Sequence, residues 1–488
     1  MNIWIIWLIL LSASIISLVL TDAVKRHQHQ QFIAAGSFIP TSLALVATLF
    51  LPIEYWEIIF LIAGQLFVAS LALRLLFSHR VRDSHSTAKD ALQLMVVMAV
   101  SVGLVFLPQD ILLWLLVGTI FFVTLIMLLQ LRDGIQKYRL KKDAPQKLED
   151  LPTVSVCIPA RNETHALSDC LNSVLESDYP KLEIIVLDDC SQDKTSRIIH
   201  SFAHAGVRFV QGEAPSDGWL GKNQALQVLA KQATGKYLLF MGVDTRLSAR
   251  SISQLVEYTR EKHLSMVSVL PRKGGRFDIG TLFSALRFFW QLTTPRFVET
   301  PVASALWLIQ TSTLEKMHGF KEAANNIEPE RSFAQKLAAN HTYRFLISNQ
   351  ALGIFYAKKW SSQIETSVRL WYPLLDMQPS RVLLAVLGQY LFVFLPYIVV
   401  ISHLFTQQYS VVAVVSAVII VLQFLAYGVY IVKTQEHAKF LAILCYPLVA
   451  LQETSLILTS FVQYEFGTVN WKGRNICYPI LSPRPWRD

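Results

Sequence analysis

The sequence predicts an α/β domain, built on a mostly parallel sheet and inserted between two sets of transmembrane helices. Three observations predict it. The 488 residues are 53% hydrophobic but only 16% charged, too apolar a balance for an ordinary soluble chain. The apolar residues gather toward both ends and leave the middle, about 140–375, with globular composition. Within that middle, short β-rich runs alternate with helical periodicity, and polar clusters follow three of the runs.

Residues 1–135 hold five apolar runs, near 2–20, 31–52, 58–77, 91–108 and 111–131. Each is about the length that crosses a bilayer as a helix. The first lacks the positive flank of a cleaved signal peptide and is followed closely by four more runs, so a retained helix is expected. The connecting loops alternate in charge. "DAVKRHQHQQ", "RLLFSHRVRDSHSTAKD" and "RDGIQKYRLKKDAPQK" are basic, whereas "LPIEYWE" and "LPQD" carry acids and no lysine or arginine. The positive-inside rule then places the N-terminus outside and the middle domain in the cytoplasm of a multi-pass cell-membrane protein. The net charge of +9 follows from these flanks and suits anionic lipid, with no nucleic-acid partner implied. The five cysteines are scattered and form neither a zinc pattern nor a disulfide framework. His27 and His29 share a basic loop and carry no metal expectation.

The middle, 150–375, reads as strand, helix, strand in turn. "TVSVCIP" ends in Pro159, "LEIIVLDD" ends in two aspartates, "VRFVQG" is a third strand, and "KYLLFMGVD" ends at Asp244. Between them lie "ETHALSDCLNSVLES", "SQDKTSRIIHSFAHA" and "GKNQALQVLAKQA", which read as helices. This alternation implies a parallel sheet covered on both faces. Ligands of such sheets bind at the carboxyl ends of the strands. There the chain places "PARNE", "LDDCSQDKT" and "GVDT". No Gly-x-Gly-x-x-Gly or phosphate-binding lysine loop is present, so phosphates would need another holder, and a hard divalent cation is the expected one.

Residues 381–463 hold three more apolar runs, near 381–404, 411–432 and 440–463. The last contains Pro447 and the polar cluster Gln452, Glu453, Thr454 and Ser455. A charge at mid-membrane depth is costly. A broken or re-entrant last segment is therefore expected, followed by a basic cytoplasmic tail at 464–488.

"VSVCIPARNE", "IIVLDDCSQDKT", "DGWLGKNQAL" and "YLLFMGVDTRL", in that order, resemble family 2 glycosyltransferases with the GT-A fold. "SVRLWYP" and "GTVNWKGRNI" are similar to segments of the membrane-bound branch that glycosylates carotenoids and other lipids. The resemblance covers about 150–375 and the tail. It implies inverting transfer from a nucleotide sugar, UDP-linked, to a lipid acceptor from the bilayer. It places Pro159, Arg161 and Glu163 on the first nucleotide-binding loop and Asp189 at the base. Lys222 then stands near the diphosphate or sugar. Asp244 matches the last acid of the family's Asp-x-Asp and is the expected ligand of Mg2+ or Mn2+. Trp219, Arg369 and Trp371 stand on the acceptor side, the last two also suiting a headgroup anchor. Asp188 and Asp193 read as turn or cap residues.

Three positions depart from the family pattern. Gly242 stands where the first acid of Asp-x-Asp is expected. Ser304 and Ala305 replace a glycine pair. "IEPER" replaces the Glu-Asp that supplies the catalytic base. Alignment of the helix "SFAQKLA" puts Glu330 in the base position, and a shifted gap selects Glu328. A glutamate serves as base if it reaches the acceptor, and a carboxylate acceptor, already ionised, lessens the need for one. The departures also fit a weakened relative that binds lipid or a partner enzyme. A processive polysaccharide synthase fits less well, because Gln363 and Arg369 are six residues apart and lack the adjacent tryptophan of Gln-x-x-Arg-Trp. Finally, "FDIGTLFSALRFFWQLTTPRF", 277–297, reads as an aromatic interfacial helix admitting lipid near Phe288, Phe289 and Trp290.

Overall fold

A computed structural model describes residues 109–137, 151–274, 279–293, 300–407 and 410–476. The first four apolar runs, His27 and His29 lie outside them, as does the tail beyond Ile476.

Helix α1 (Gln109–Lys137) is the fifth apolar run. The chain then alternates as the sequence predicts: β1 (Val154–Ala160), α2 (Leu167–Leu175), β2 (Leu182–Asp188), α3 (Thr195–Ser201), β3 (Val207–Gln211), α4 (Gly221–Gln232) and β4 (Tyr237–Met241). β5 (Thr245–Leu247), α5 (Ser251–Glu261), β6 (Met266–Leu270) and β7 (Arg272–Lys273) follow. Two short helices come next, α6 (Ile279–Leu282) and α7 (Arg287–Thr293). β8 (Leu306–Gln310), α8 (Thr311–Lys316), α9 (Pro329–Ala339), β9 (Tyr343–Ile347) and β10 (Ile354–Tyr356) complete the domain.

The main sheet has the order β3-β2-β1-β4-β8-β6-β9. Its first four strands run parallel, and β8 runs antiparallel to both β4 and β6. Side chains alternate across a strand, and the alternation divides the core. Val156 and Ile158 pack with Leu167, Leu171 and Val256 on one face. Cys157, Leu238, Phe240 and Trp307 pack on the other, in a cluster that continues into Met127 and Leu131 of α1. The α/β domain therefore shares its core with the membrane helices instead of hanging from a linker.

After β10, α10 (Trp360–Leu374) leads into α11 (Pro379–Thr406) and α12 (Val411–Thr434). Among the described residues, three helices are long and apolar enough to cross a membrane, over Leu113–Ile135, Pro379–Thr406 and Val411–Thr434. Their outward faces carry exposed apolar side chains, such as Phe122, Leu404 and Val414.

The last apolar run is broken into α13 (Lys439–Leu444) and α14 (Tyr446–Phe466), with Pro447 just inside the second, where its missing N–H costs nothing. Both ends of α14 rest on the α/β side. Tyr446 packs on Phe289 of α7, and near the other end the Tyr464 hydroxyl donates to Arg369 O at 2.8 Å. Glu453 is fully buried, yet it accepts from Leu286 N at 3.0 Å and Trp371 Nε1 at 2.5 Å. Those bonds are why a carboxylate is tolerated there. A tight hairpin closes the described chain, with β11 (Asn470–Trp471) pairing β12 (Arg474–Asn475).

The 277–297 segment differs from expectation. Its described residues, 279–293, include the two short helices α6 and α7, and Phe289 is 1% exposed, within 6 Å of the Tyr427 and Tyr430 rings. Phe289 is core filling between elements, not a lipid mouth. Trp290 packs edge-on against Phe392 of α11.

Candidate active site

The carboxyl ends of β1, β2 and β4 open into one cavity. Its wall holds Pro159, Arg161 and Glu163 after β1, Asp189 after β2, and Gly242 and Asp244 after β4. Lys222, at the start of α4, and Arg369 of α10 also line it. The parallel order β2-β1-β4 makes these strand ends neighbours, and Asp189 N donating to Ala160 O at 2.8 Å fixes the β2 loop against β1.

Arg161 is buried and spends its donors on backbone, from Nη1 to Asp189 O at 2.5 Å and Cys190 O at 3.0 Å. It shapes the loop as a bracket. Asp188 accepts from Ser191 N at 3.1 Å and Asp193 accepts from Thr195 N at 2.9 Å, so both serve turns. Burial raises the pKa values of Glu163 and Asp189, against opposing pulls from Lys472 and Arg474 respectively. Asp244 is half-buried, and its carboxylate accepts no hydrogen bond among the described residues.

The cavity extends past Asp244 toward the membrane helices. Lys273, Arg287, Phe288, Tyr356 and Lys358 line that end, together with Tyr430 and Thr434 of α12. Burial lowers the Lys358 pKa to about 8, helped by Arg369 and Arg287 and opposed by Asp244 and Glu163. The Lys358 ammonium donates to Thr366 Oγ1 at 2.5 Å. The inner cavity is thus lined by several cations beside one open carboxylate, a setting suited to a multiply charged anion.

Four expected residues fall elsewhere. Glu330 is completely buried in α9, outside the cavity wall, with Lys222 Nζ at 3.5 Å and, among the described residues, no hydrogen bond to either oxygen. Glu328 is held by Arg331, at 2.7 Å, and lines a separate depression beside Asn326 and Asp376. The geometry corrects Glu328 as an alternative base: its carboxylate is already paired and faces away. Trp371 is likewise corrected, since its indole N–H goes to Glu453 and its ring packs with Tyr372 and Ile457. Trp219 lines an adjoining depression with Lys222, Arg369 and Arg474.

The inner cations Lys273, Arg287 and Lys358 escaped the sequence reading because no local motif marks them. The tail motif was visible, but not its partners. Lys472 pairs with Glu163 at 2.7 Å and Arg474 with Asp189 at 2.6 Å.

The donor chemistry of the site fits a hard divalent cation in part. Asp244 offers free carboxylate oxygen, while among the described residues no three His, Cys, Asp or Glu side chains gather as a metal cluster. Mg2+ or Mn2+ held there would have one protein ligand and take the rest from phosphate and water. Gly242 leaves room for more. A Cβ built on it meets only Ala305 O, at 3.8 Å. Gly242→Asp is therefore expected to fold normally and, with UDP present, to tighten Mn2+ binding roughly tenfold by adding a carboxylate. A paramagnetic-resonance titration of free Mn2+ reads this, and unchanged affinity refutes the placement.

The family model described as Glycosyl transferase family 2 matches residues 155–302. A 4,4'-diaponeurosporenoate glycosyltransferase of Staphylococcus haemolyticus is 30% identical over 138 residues, 28% of this chain and 36% of the relative. A poly-beta-1,6-N-acetyl-D-glucosamine synthase of Staphylococcus epidermidis is 31% identical over 135 residues, 27% of this chain and 31% of the relative. The chain thus matches about a third of the length of each. Among solved structures, a mannosyltransferase from Pyrobaculum calidifontis in complex with GDP-Man and Mn2+ superposes with a TM-score of 0.44 at 16% identity. That match covers 72% of this chain and 97% of the other.

Proposed function

Residues 155–302 form a family 2 glycosyltransferase domain, and from that premise we propose that the chain transfers a sugar from a UDP-linked donor to a lipid acceptor in the membrane. One observation carries the reading. A single cavity joins the strand-end residues Asp189, Lys222 and Asp244 to Phe288, Tyr430 and Thr434 on the membrane-helix side. A water-soluble donor and a membrane-borne acceptor can therefore meet without either leaving its medium. The lipid-glycosylating relative is named for a carotenoid acid, and an isoprenoid acceptor of that class suits the aromatic inner wall.

In this mechanism the nucleoside lies over Pro159 and Arg161 with its base toward Asp189. The diphosphate lies between Lys222, Lys358 and Asp244. When bound, Mg2+ or Mn2+ on Asp244 neutralises part of the leaving diphosphate's charge. Lys222 and Lys358 share that load from fixed positions in a water-poor cavity, where such charges act strongly. The acceptor approaches the sugar carbon from the Phe288 side, opposite the diphosphate, which inverts the anomeric centre. Glu330, enclosed behind Lys222 and outside the cavity wall, serves as base only if Lys222 turns to the diphosphate and the carboxylate itself swings into the cavity to meet the acceptor. An acceptor carboxylate is already ionised at neutral pH and makes that step unnecessary. The basic loops of the sequence support a reading in which this chemistry occurs on the cytoplasmic face of a multi-pass protein.

The test is direct. Membranes carrying the protein are incubated with labelled UDP-sugars and Mn2+, and lipids are extracted and separated. Labelled lipid is the expected product. Label confined to a polymer would assign the chain to the synthases, and no turnover with any sugar would assign it to noncatalytic relatives.

A further inference from the structure

We propose that the terminal hairpin is part of the donor site, with Arg474 and Lys472 as positioning residues that hold the carboxylates of Asp189 and Glu163 for the nucleotide. The inference rests on the donor reading above and extends it to residues over 280 positions away in sequence.

The hairpin is a built element. Lys472 and Gly473 both have positive φ, 50° and 77°, the pair that a tight two-residue turn requires. Ile476 N donates to Val469 O at 2.9 Å, and both side chains join the core with Tyr372 and Tyr464. The turn is thereby presented to the strand-end loops from a fixed base.

Its contacts fall on the expected donor residues. Arg474 Nη1 donates to both oxygens of Asp189, at 2.7 and 2.6 Å. Lys472 Nζ meets Glu163 Oε1 at 2.7 Å and Asn162 O at 3.2 Å. Arg161 Nε donates back to Lys472 O at 3.0 Å, so the β1 loop and the hairpin grip each other. Trp471 lies under the Arg369 guanidinium, 5.0 Å from ring centre to Cζ, and lines the cavity itself. The opposing surface is cut to fit. A Cβ on Gly221, at the start of α4, would stand 2.3 Å from Arg474 Nη1.

The charges explain why cations are needed here. Asp189 is buried and flanked by Asp188, with Arg161 and Arg474 as the opposing cations. Burial and the neighbouring acid both favour the protonated form, and Arg474 opposes them. An ionised, oriented Asp189 accepts the N–H of a uracil ring in a charge-assisted bond through either oxygen, whereas a protonated one offers only the weaker neutral acceptor. Losing Arg474 therefore raises the Asp189 pKa, so donor binding weakens at a higher pH on acidification.

The test measures UDP binding to the purified full-length chain in detergent by equilibrium dialysis across pH. Arg474→Met is expected to weaken binding roughly tenfold, most at low pH, with Arg474→Lys recovering part of the loss. In transfer assays the donor KM rises while kcat changes by less than about twofold, because the hairpin holds the ground-state nucleotide. Gly221→Ala, which pushes Arg474 aside and removes no charge, should act in the same direction and stands in if Arg474→Met does not fold. UDP affinity unchanged in both variants overturns the proposal. Tighter binding overturns it too, by making the hairpin a competitor of the nucleotide. A wild-type chain that binds no UDP overturns the donor reading, and the hairpin's role with it.

Discussion

Asp244→Asn should lower sugar transfer by about three orders of magnitude while the protein stays folded. Its carboxylate is half-buried, lines the cavity and is spent on no other contact among the described residues. With Gly242 beside it, there is no second acid on this strand end to take over. Removing one preorganised group aimed at transition-state charge costs about 10²–10³ in rate, and if a cation is held on Asp244 the loss of that ligand adds to it. Initial rates with excess UDP-sugar and acceptor check the prediction, with Mn2+ varied. Loss of Mn2+ dependence together with the rate places the cation on Asp244. Transfer untouched by both the substitution and chelation removes the cation from the reaction and leaves Lys358 and Lys222 to carry the diphosphate.

Glu330→Gln should lower transfer to a hydroxyl acceptor by about 10²–10⁴, the usual range for a lost general base. Glu328→Gln should leave the rate within about twofold, since its partner Arg331 faces a different depression. Glu330 combines complete burial with two oxygens that accept no hydrogen bond, an expensive arrangement for packing alone. Lys222 at 3.5 Å is its one ion-pair partner among the described residues. Measuring both variants with a hydroxyl and a carboxylate acceptor separates the two chemistries. A Glu330→Gln protein that retains transfer to the acid but not to the alcohol assigns the glutamate to proton removal. Equal loss on both assigns it to holding Lys222.

The alternating domain was legible because each of its signals is local. A β-rich run bounded by polar residues and a helix of fitting period need no distant partner to be recognised. The strand-end residues were legible for the same reason: parallel strands bring their carboxyl ends together whatever the intervening chain does. Antiparallel β8, inserted between β4 and β6, was not legible, because its neighbours are chosen by the whole sheet. Glu328 and Glu330 differ by two residues, and only the start of α9 at Pro329 decides which way each points. Trp371 read as an interfacial aromatic until Glu453, 82 positions on, took its N–H. Lys358, Arg287 and the tail pairs depend on contacts across the chain that no window of sequence contains.

The placement of α14 also bears on a question of parity. A helix that begins and ends on one side of a membrane contributes no crossing, however apolar its outward face. Downstream of the α/β domain, α11 and α12 are the described helices long and apolar enough to cross a membrane, and α14 is not among them. If those two helices cross, the even count returns the hairpin to the compartment of the α/β domain, in keeping with the ion pair from Arg474 to Asp189. A reporter fused at the C-terminus reads the address of the sugar donor, and a hydropathy count of three would have assigned it to the opposite side of the membrane.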